Sequence, residues 1–213
     1  MRALLVLGYA CGCACVVALV SAGAWLAPVS AASDPLQELQ QRLIRFQKSG
    51  DHNNALRVGI QIVEVVRERY GEAHPIYAEA LNNLALVQDV AGLHEKAEKT
   101  YRDAIRILTT ALGRRHPQVA VVTNNLAAAV LSQCKLELAR RLYLRSANIL
   151  TRAYGVTHRD ARMAVNNFQR VSRALGLHDP AAIKKRDLKT TGWQLRVPKA
   201  SNDEVTIPPR CTT

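Results

Sequence analysis

Apolar residues in the middle of the chain recur every three or four positions, which predicts amphipathic helices. From His94 to Leu112 they form one stripe, and charged residues occupy the opposite side. Residues 75–91 have the same spacing, begin with a proline that suits the first turn of a helix, and are followed by Gly92, which ends it. A break this short between two helices is typical of an antiparallel pair.

This pattern returns with a fixed period. Segments of the form Gly-x-x-His begin at Gly71, Gly113 and Gly155, which are 42 residues apart, and each is followed by a pair of asparagines at the same distance. Self-similarity at a period of this size indicates stacked helical units, because a single unit cannot bury its own apolar face. The chain is therefore predicted to be an all-α solenoid of antiparallel helix pairs.

The same register predicts the remaining helices and the limits of the repeat domain. Asp34 is expected to cap a helix over residues 35–49, whose partner covers residues 53–70. Downstream, residues 159–175 repeat the first helix of a unit, and residues 180–188 form a shortened last helix. The predicted organisation is a targeting segment (1–32), a repeat domain (33–188, with units at about 34–70, 71–112, 113–154 and 155–188) and a flexible, proline-containing tail (189–213).

Several residue types recur jointly within the units. One unit contains Gly71, His74-Pro75 and Leu81-Asn82-Asn83-Leu84-Ala85, and then Ala97-Glu98, Tyr101 and Ala104. These residues resemble the tetratricopeptide repeats of the kinesin light chain type, and the resemblance covers about residues 34–188. It implies a right-handed superhelix whose concave groove is lined by the first helix of each unit. Since such repeats serve many unrelated systems, it implies a binding module and no particular partner.

The resemblance also implies which side chains line the groove. Asparagine recurs there in three units, with Gln40 in the matching place of the first, and an amide offers donors and an acceptor to the backbone of an extended peptide. Arg170 and Arg173 add positive charge at one end, so a ligand with hydrophobic anchors and acidic flanking residues is expected. The predicted partner-binding residues are Gln40, Glu79, Asn82, Leu86, Asp89, Val121, Asn124, Ala128, Leu131, Met163, Asn166, Arg170 and Arg173.

Two other recurring residue types are expected to have structural roles. The second asparagine of each pair (Asn83, Asn125 and Asn167) is expected to lock neighbouring helices together. Histidine recurs once per unit at the start of a helix, at positions 74, 116 and 158. Because these histidines are a repeat apart, their recurrence indicates a turn and capping role and not a metal site.

The sequence contains no recognisable catalytic constellation. It has no glycine-rich phosphate loop, His-Glu-x-x-His segment or nucleophile elbow. Ser132 and Lys135 match the Ser-x-x-Lys pattern of acylating enzymes without its accompanying motifs, and the cluster of Cys11, Cys13 and Cys15 lacks histidine or carboxylate support. We therefore expect a protein that is not an enzyme, with no catalytic residue, metal, cofactor or small-molecule substrate.

The first 32 residues have the layout of a signal peptide. Arg2 is the only charged residue before Asp34, a long apolar stretch follows it, and Val29-Ser30-Ala31 precedes the change in polarity. Cleavage is expected after Ala31 or Ala32. The apolar stretch approaches the length that spans a bilayer, so an uncleaved membrane anchor is the alternative. Both interpretations predict an exported protein, either periplasmic or secreted, or anchored by this segment.

Charge and cysteine content complete the functional prediction. Lys and Arg number 29 against 17 Asp and Glu, a net charge of +12 that favours acidic partners. Only Cys134 and Cys211 lie outside the N-terminal apolar stretch, so no even, spaced disulfide framework is predicted. The leading prediction is a non-enzymatic interaction module of the cell envelope or secreted space that binds an extended protein segment in its groove. The alternative is a basic envelope protein that binds an anionic lipid, a polysaccharide or, less consistently with export, a nucleic acid.

Overall fold

Helices make up most of the described chain. The computed structural model describes residues 34–177 and 207–211, and within these residues there are seven α-helices, one short 3-10 helix and no strand. The helices are α1 (Pro35–Ser49), α2 (His52–Tyr70), α3 (Pro75–Val90), α4 (His94–Leu112), α5 (Pro117–Ser132), α6 (Leu136–Tyr154) and α7 (Arg159–Ala174), followed by the 3-10 helix η1 (Pro209–Cys211).

The helix bounds agree closely with the periodicity of the sequence. Helices α1 and α4 begin and end at the predicted residues, and the bounds predicted for α2, α3 and α7 differ by one residue at one end. The all-α solenoid fold is confirmed. The targeting segment at 1–32, the predicted helix at 180–188 and most of the tail lie outside the described residues.

Histidine side chains start three of the helices. Nδ1 of His74 accepts a hydrogen bond from the backbone N–H of Ile76 at 3.2 Å, at the beginning of α3. His116 caps α5 at 3.2 Å and His158 caps α7 at 3.3 Å in the same way. Each cap satisfies one of the N–H groups that the first turn of a helix leaves without a partner. The predicted turn and capping role of these histidines is confirmed.

The turn between the two helices of a unit has a left-handed backbone conformation. Gly50, Gly92 and Gly176 occupy this place with φ angles of 73°, 77° and 69°. Glycine adopts a positive φ without the steric penalty that a Cβ atom adds. In the third unit the place is taken by Cys134, which has a φ of 60° and is the only non-glycine residue with a positive φ in the described segments. The repeat therefore imposes this turn even where glycine is replaced.

Close packing of consecutive helices builds the core. Each helix from α2 to α7 contacts the next, and the first helices α3 and α5 of neighbouring units also touch. Ala97 and Ala139, at matching places of α4 and α6, are completely buried, and their small side chains allow the helices to approach closely. Tyr101 and Tyr143 are also completely buried, and Leu43 joins α1 to the same hydrophobic cluster. The stacked arrangement leaves one side of each first helix available to form a surface.

Candidate protein-binding groove

Large apolar side chains are exposed on the first helix of each unit. Ile44 and Leu86 share a repeat position and are 50% and 42% exposed, and Val121 and Met163, which share another, are 38% and 43% exposed. Val90, at the end of α3, is 62% exposed. We refer to these five side chains as the first-helix face. Exposed apolar side chains that recur at matching repeat positions make this face the candidate interaction surface, whereas scattered single ones need no explanation.

Most of the predicted partner-binding residues lie at or near the surface. The exposed ones are Gln40, Glu79, Leu86, Val121, Met163 and Arg173, and the partly exposed ones are Asn82, Asp89, Ala128, Asn166 and Arg170. The other two, Asn124 and Leu131, are only 8% and 2% exposed, so their side chains are not accessible to a partner in this structure. The prediction also missed Ile44, although the register identifies it as the counterpart of Leu86 one repeat earlier.

The asparagine pairs connect neighbouring units. Nδ2 of Asn125 donates to Oδ1 of Asn82 at 3.0 Å, and Nδ2 of Asn167 donates to Oδ1 of Asn124 at 3.4 Å. The expected locking role of the second asparagine is therefore confirmed for these two pairs. The acceptor in each bond is the first asparagine of the preceding unit, which is 8% exposed in the case of Asn124. A bound peptide would consequently meet amide donors more readily than free amide oxygens.

Two acidic residues predicted for the groove have partners within the protein. Glu79 Oε1 accepts a hydrogen bond from Nε2 of Gln118 at 2.7 Å. Asp89 Oδ1 lies 2.6 Å from Nδ1 of His94, at the turn between α3 and α4. These contacts hold both carboxylates in fixed positions on α3.

Positive charge is concentrated on α7. Arg173 is exposed, whereas Arg170 is partly buried, and its Nη1 atom is buried without a hydrogen-bond partner among the described residues. Burial raises the pKa of Tyr143, with Asp89 raising it further and Arg170 lowering it, so the guanidinium lies within electrostatic range of this phenol. A buried donor without a partner is costly, and a carboxylate is the acceptor that a guanidinium binds best. Arg173 is accessible to an acidic group on a partner, whereas Nη1 of Arg170 becomes accessible only if its surroundings move.

Glu98 joins α4 to the turn between α5 and α6. Its Oε2 atom accepts hydrogen bonds from Nε2 of Gln133 and Nζ of Lys135, both at 3.0 Å, and its Oε1 atom pairs with Arg102 at 2.7 Å. Partial burial tends to raise the pKa of Glu98, but the hydrogen bonds from Arg102, Lys135 and Gln133 outweigh it and lower the pKa to about 2. The carboxylate is therefore ionised at neutral pH and holds both residues that flank Cys134.

A disulfide attaches the end of the chain to this same turn. Cys134 is bonded to Cys211, 77 residues later in the sequence. The Sγ atom of Cys211 lies 3.8 Å from the carbonyl oxygen of Leu131, and Ile207 packs against the main hydrophobic cluster. This bond was not predicted, because a single pair of cysteines 77 residues apart does not form a spaced disulfide framework. A cysteine at a glycine position of the repeat was the available signal. Within the tail predicted at 189–213, residues 207–211 are thus covalently joined to the α5–α6 turn through Cys211.

No helix within 34–177 is both long and apolar enough to cross a bilayer. No group of three or more metal-ligating side chains comes together in the described part of the chain.

Comparisons with known proteins identify the repeat. The tetratricopeptide repeat family model matches residues 45–110 and 90–152, together just over half of the chain. No curated protein sequence matches.

Solved structures show the same fold. One contains the nearly identical TPR-like repeats of a Podosopora anserina protein described as a kinesin light chain. It has 19% identity, a TM-score of 0.61, and coverage of 66% of this chain and 67% of that one. Another is BtubC (BKLC) from P. vanneervenii, with 20% identity, a TM-score of 0.62, and coverage of 80% and 70%. At this level of identity the similarity establishes the fold and not the function.

Proposed function

Because the chain belongs to the tetratricopeptide repeat family, we propose that it is an exported, non-enzymatic scaffold that binds an extended segment of a partner protein on its first-helix face. Tetratricopeptide repeats are in general scaffolds for protein–protein interaction. Beyond this general role, we propose the binding site, the chemistry of the partner and a location outside the cytoplasm.

The observation that carries the proposal is the placement of exposed apolar side chains at equivalent positions of successive first helices. Ile44 and Leu86 are one repeat apart, as are Val121 and Met163, so a partner that runs along the units meets an apolar contact in each one. The face also carries amide donors from the asparagine pairs. An extended peptide requires this combination, because its backbone needs hydrogen-bond partners while its side chains need apolar contacts.

Charge supports an acidic partner. Arg170 and Arg173 lie on α7, and Nη1 of Arg170 has no partner within the described segments. The net charge of +12 attracts acidic segments over a longer range and increases the rate of association at low salt. An acidic residue next to a hydrophobic anchor would therefore be expected at the α7 end of the bound segment.

Two features support export. The N-terminal segment has the layout of a signal peptide, with Val29-Ser30-Ala31 before the change in polarity. The bond between Cys134 and Cys211 is of the kind that persists in oxidising compartments and is rare in the cytosol. N-terminal sequencing of the protein from its native source tests this part. A mature chain that begins at Ala32 or Ser33 is expected, whereas a full-length chain extracted only by detergent would indicate an anchor.

The binding site is tested with two matched pairs of substitutions. Leu86→Ser with Val121→Ser removes apolar surface from the first-helix face, and Ile60→Ser with Val156→Ser removes exposed apolar surface elsewhere. Proteins from an envelope extract are captured with the wild type and with each double variant. We expect at least a tenfold loss of the bound partner with the first pair only, and an unchanged circular dichroism spectrum for both. Equal capture by all three proteins would exclude the first-helix face as the binding site.

The charge contribution is tested separately. Replacing Arg170 and Arg173 by Ala should weaken binding at low salt and have a small effect at high salt, since exposed charge interactions are screened. Replacing the partly exposed Asn82 by Ala should weaken binding at all salt concentrations, by about 1 kcal/mol per hydrogen bond lost to the partner. Because Asn82 also accepts a bond from Asn125, the free energy of unfolding of this variant is measured as a control. A salt titration of the captured complex distinguishes the two. Loss of binding with identical salt dependence in both variants would contradict the proposed roles.

A further inference from the structure

We propose that the Cys134–Cys211 disulfide is a reducible clasp that holds residues 207–211 at the α5 end of the first-helix face, and that its reduction releases this segment. The functional consequence, a change in the surface offered to a partner, depends on the proposed function. The clasp itself does not, because it follows from contacts within the chain.

The backbone conformation at Cys134 supports the clasp. Its φ angle of 60° belongs to a turn where the other units place glycine. A Cβ atom built on Gly50, Gly92 or Gly176 would meet no heavy atom within 4 Å, so a side chain at this turn faces open space. Cysteine is therefore unfavourable here for conformational reasons but has room to reach another segment. The sulfur atom makes use of this room, since it forms the bond to Cys211.

The contacts of residues 207–211 also support the clasp. Sγ of Cys211 is 3.8 Å from the carbonyl oxygen of Leu131, and Ile207 packs against the cluster that contains this leucine. Leu131 is 2% exposed and belongs to this cluster. The segment thus lies against the C-terminal end of α5 and packs on apolar residues there, next to the first-helix face.

The hydrogen bonds beside Cys134 should remain after the disulfide is reduced. Gln133 and Lys135, on either side of Cys134, are both hydrogen-bonded to Glu98. These bonds do not involve the disulfide, so the turn between α5 and α6 keeps its position when the sulfurs separate. By contrast, the segment follows residue 177 by about thirty positions, and Ile207 is its one partly buried side chain in the hydrophobic cluster, so the loss of the crosslink restores a large conformational entropy to it. Reduction is therefore expected to free the segment and leave the helices in place.

The chemistry is thiol–disulfide exchange with a dithiol reductant. Both cysteines are partly exposed, so a thiolate can reach the bond. One thiolate of the reductant attacks Sγ of Cys211, and Cys134 leaves as a thiolate and takes up a proton. The second thiol of the reductant then cleaves the mixed disulfide, which releases Cys211 as a thiol. Two electrons pass from the reductant, which becomes a disulfide, and oxidation by a disulfide oxidant reverses the process.

The experiment compares the oxidised and dithiothreitol-reduced protein, and needs no partner. Hydrogen exchange of the peptide that contains residues 207–211 and the fluorescence of anilinonaphthalene sulfonate, a dye that reports apolar surface, are measured together. Complete reduction is verified by the mass of the alkylated protein. We expect at least tenfold faster exchange of this peptide and at least a threefold rise in fluorescence, with unchanged helical circular dichroism.

Variants separate the clasp from general destabilisation. Cys211→Ser should give the reduced result in both buffers, with no response to dithiothreitol. Ile207→Ser should raise the fluorescence while the disulfide stays intact, and Val156→Ser, which changes an exposed residue of comparable size, should not. Unchanged exchange or unchanged fluorescence after complete reduction would overturn the proposal. So would a loss of helical signal on reduction, because the bond would then be a structural staple.

These readouts are independent of the proposed function. If reduction releases the segment but every captured protein binds all groove variants equally, the proposed function is contradicted and the clasp proposal is supported. If capture depends on Leu86 and Val121 but reduction leaves the segment in place, the clasp proposal is contradicted and the proposed function is supported.

Discussion

The unit formed by α3 and α4 and the unit formed by α5 and α6 have the same backbone plan but are joined to their surroundings differently. Both begin at a histidine cap, both pair a 16-residue helix with a 19-residue helix, and both turn through a left-handed residue. That residue is Gly92 in one and Cys134 in the other. The period of the repeat thus specifies the backbone, and residues that depart from it provide the connections particular to this protein.

The second helices of the two units, α4 and α6, also differ in how one equivalent residue contacts the following unit. Glu98 on α4 binds the α5–α6 turn, whereas Arg140, one repeat later on α6, lies with its Cζ atom 6.0 Å from the ring centre of Phe168 on α7. Each residue contacts the following unit, but one does so through hydrogen bonds and the other through an aromatic face. A connection between units is retained while its chemistry changes, because stacking places this position beside the next helix in both cases.

The largest expected effect tests what the two units share. Ala97→Arg and Ala139→Arg each insert a long charged side chain at a completely buried position between helices. Each should lower the free energy of unfolding by about 3 kcal/mol or more, and by similar amounts in the two units. Urea denaturation followed by circular dichroism measures both. A stability close to that of the wild type for either variant would show that the units are not packed equivalently.

The next effect belongs to the second of these units alone. Cys211→Ser removes the crosslink that closes 77 residues of sequence, and should lower the free energy of unfolding of the oxidised protein by about 3 kcal/mol. The folded state should still be populated without denaturant. Unfolding in dithiothreitol provides the control, since the wild type should then behave like the variant. A difference that persists under reduction would have to arise from the serine and not from the crosslink.

The pH dependence tests the link between the two units. The pKa of Glu98 is lowered from its ordinary value of 4.5 to about 2 in the folded protein, so the folded state binds fewer protons between these values. Its stabilisation is complete above about pH 4.5 and is lost as the pH falls towards 2. Glu98→Gln should remove about 2 kcal/mol at pH 7 and flatten this dependence. Glu137→Gln, which breaks a more exposed ion pair, is the control and should change stability by less than about 1 kcal/mol.

The smallest effect compares the turns directly. Gly92→Ala should cost about 1 kcal/mol, because alanine must adopt a φ of 77°. In a Cys211→Ser background, Cys134→Gly should be more stable than Cys134→Ser by about the same amount. The midpoints of urea unfolding for these three variants, with the wild type as the reference for Gly92→Ala, decide this. If serine were as stable as glycine at position 134, the left-handed turn would not be a source of strain.

Much of the site was predictable only in outline. The repeat register identified Leu86, Val121 and Met163 as surface residues of the first helices, and all three are exposed. It also assigned Leu131 to the surface. The position of a residue within a repeat determines which side of the helix it lies on, but not which residues pack against that side. The asparagine pairs were divided into a contact residue and a locking residue, whereas each bond uses one of each kind. A pattern within one unit cannot show how its side chains divide their hydrogen bonds with the next.

By itself the sequence determined the helices, their caps and the stacked repeat, because these depend on interactions within a few residues and on a periodic apolar stripe. Tertiary structure decided which distant residues meet. Glu98 binds Gln133 and Lys135 across 35 and 37 positions, and Cys134 joins Cys211 across 77. Such pairings leave no periodic trace, since they arise only when stacked helices bring particular side chains within bonding distance.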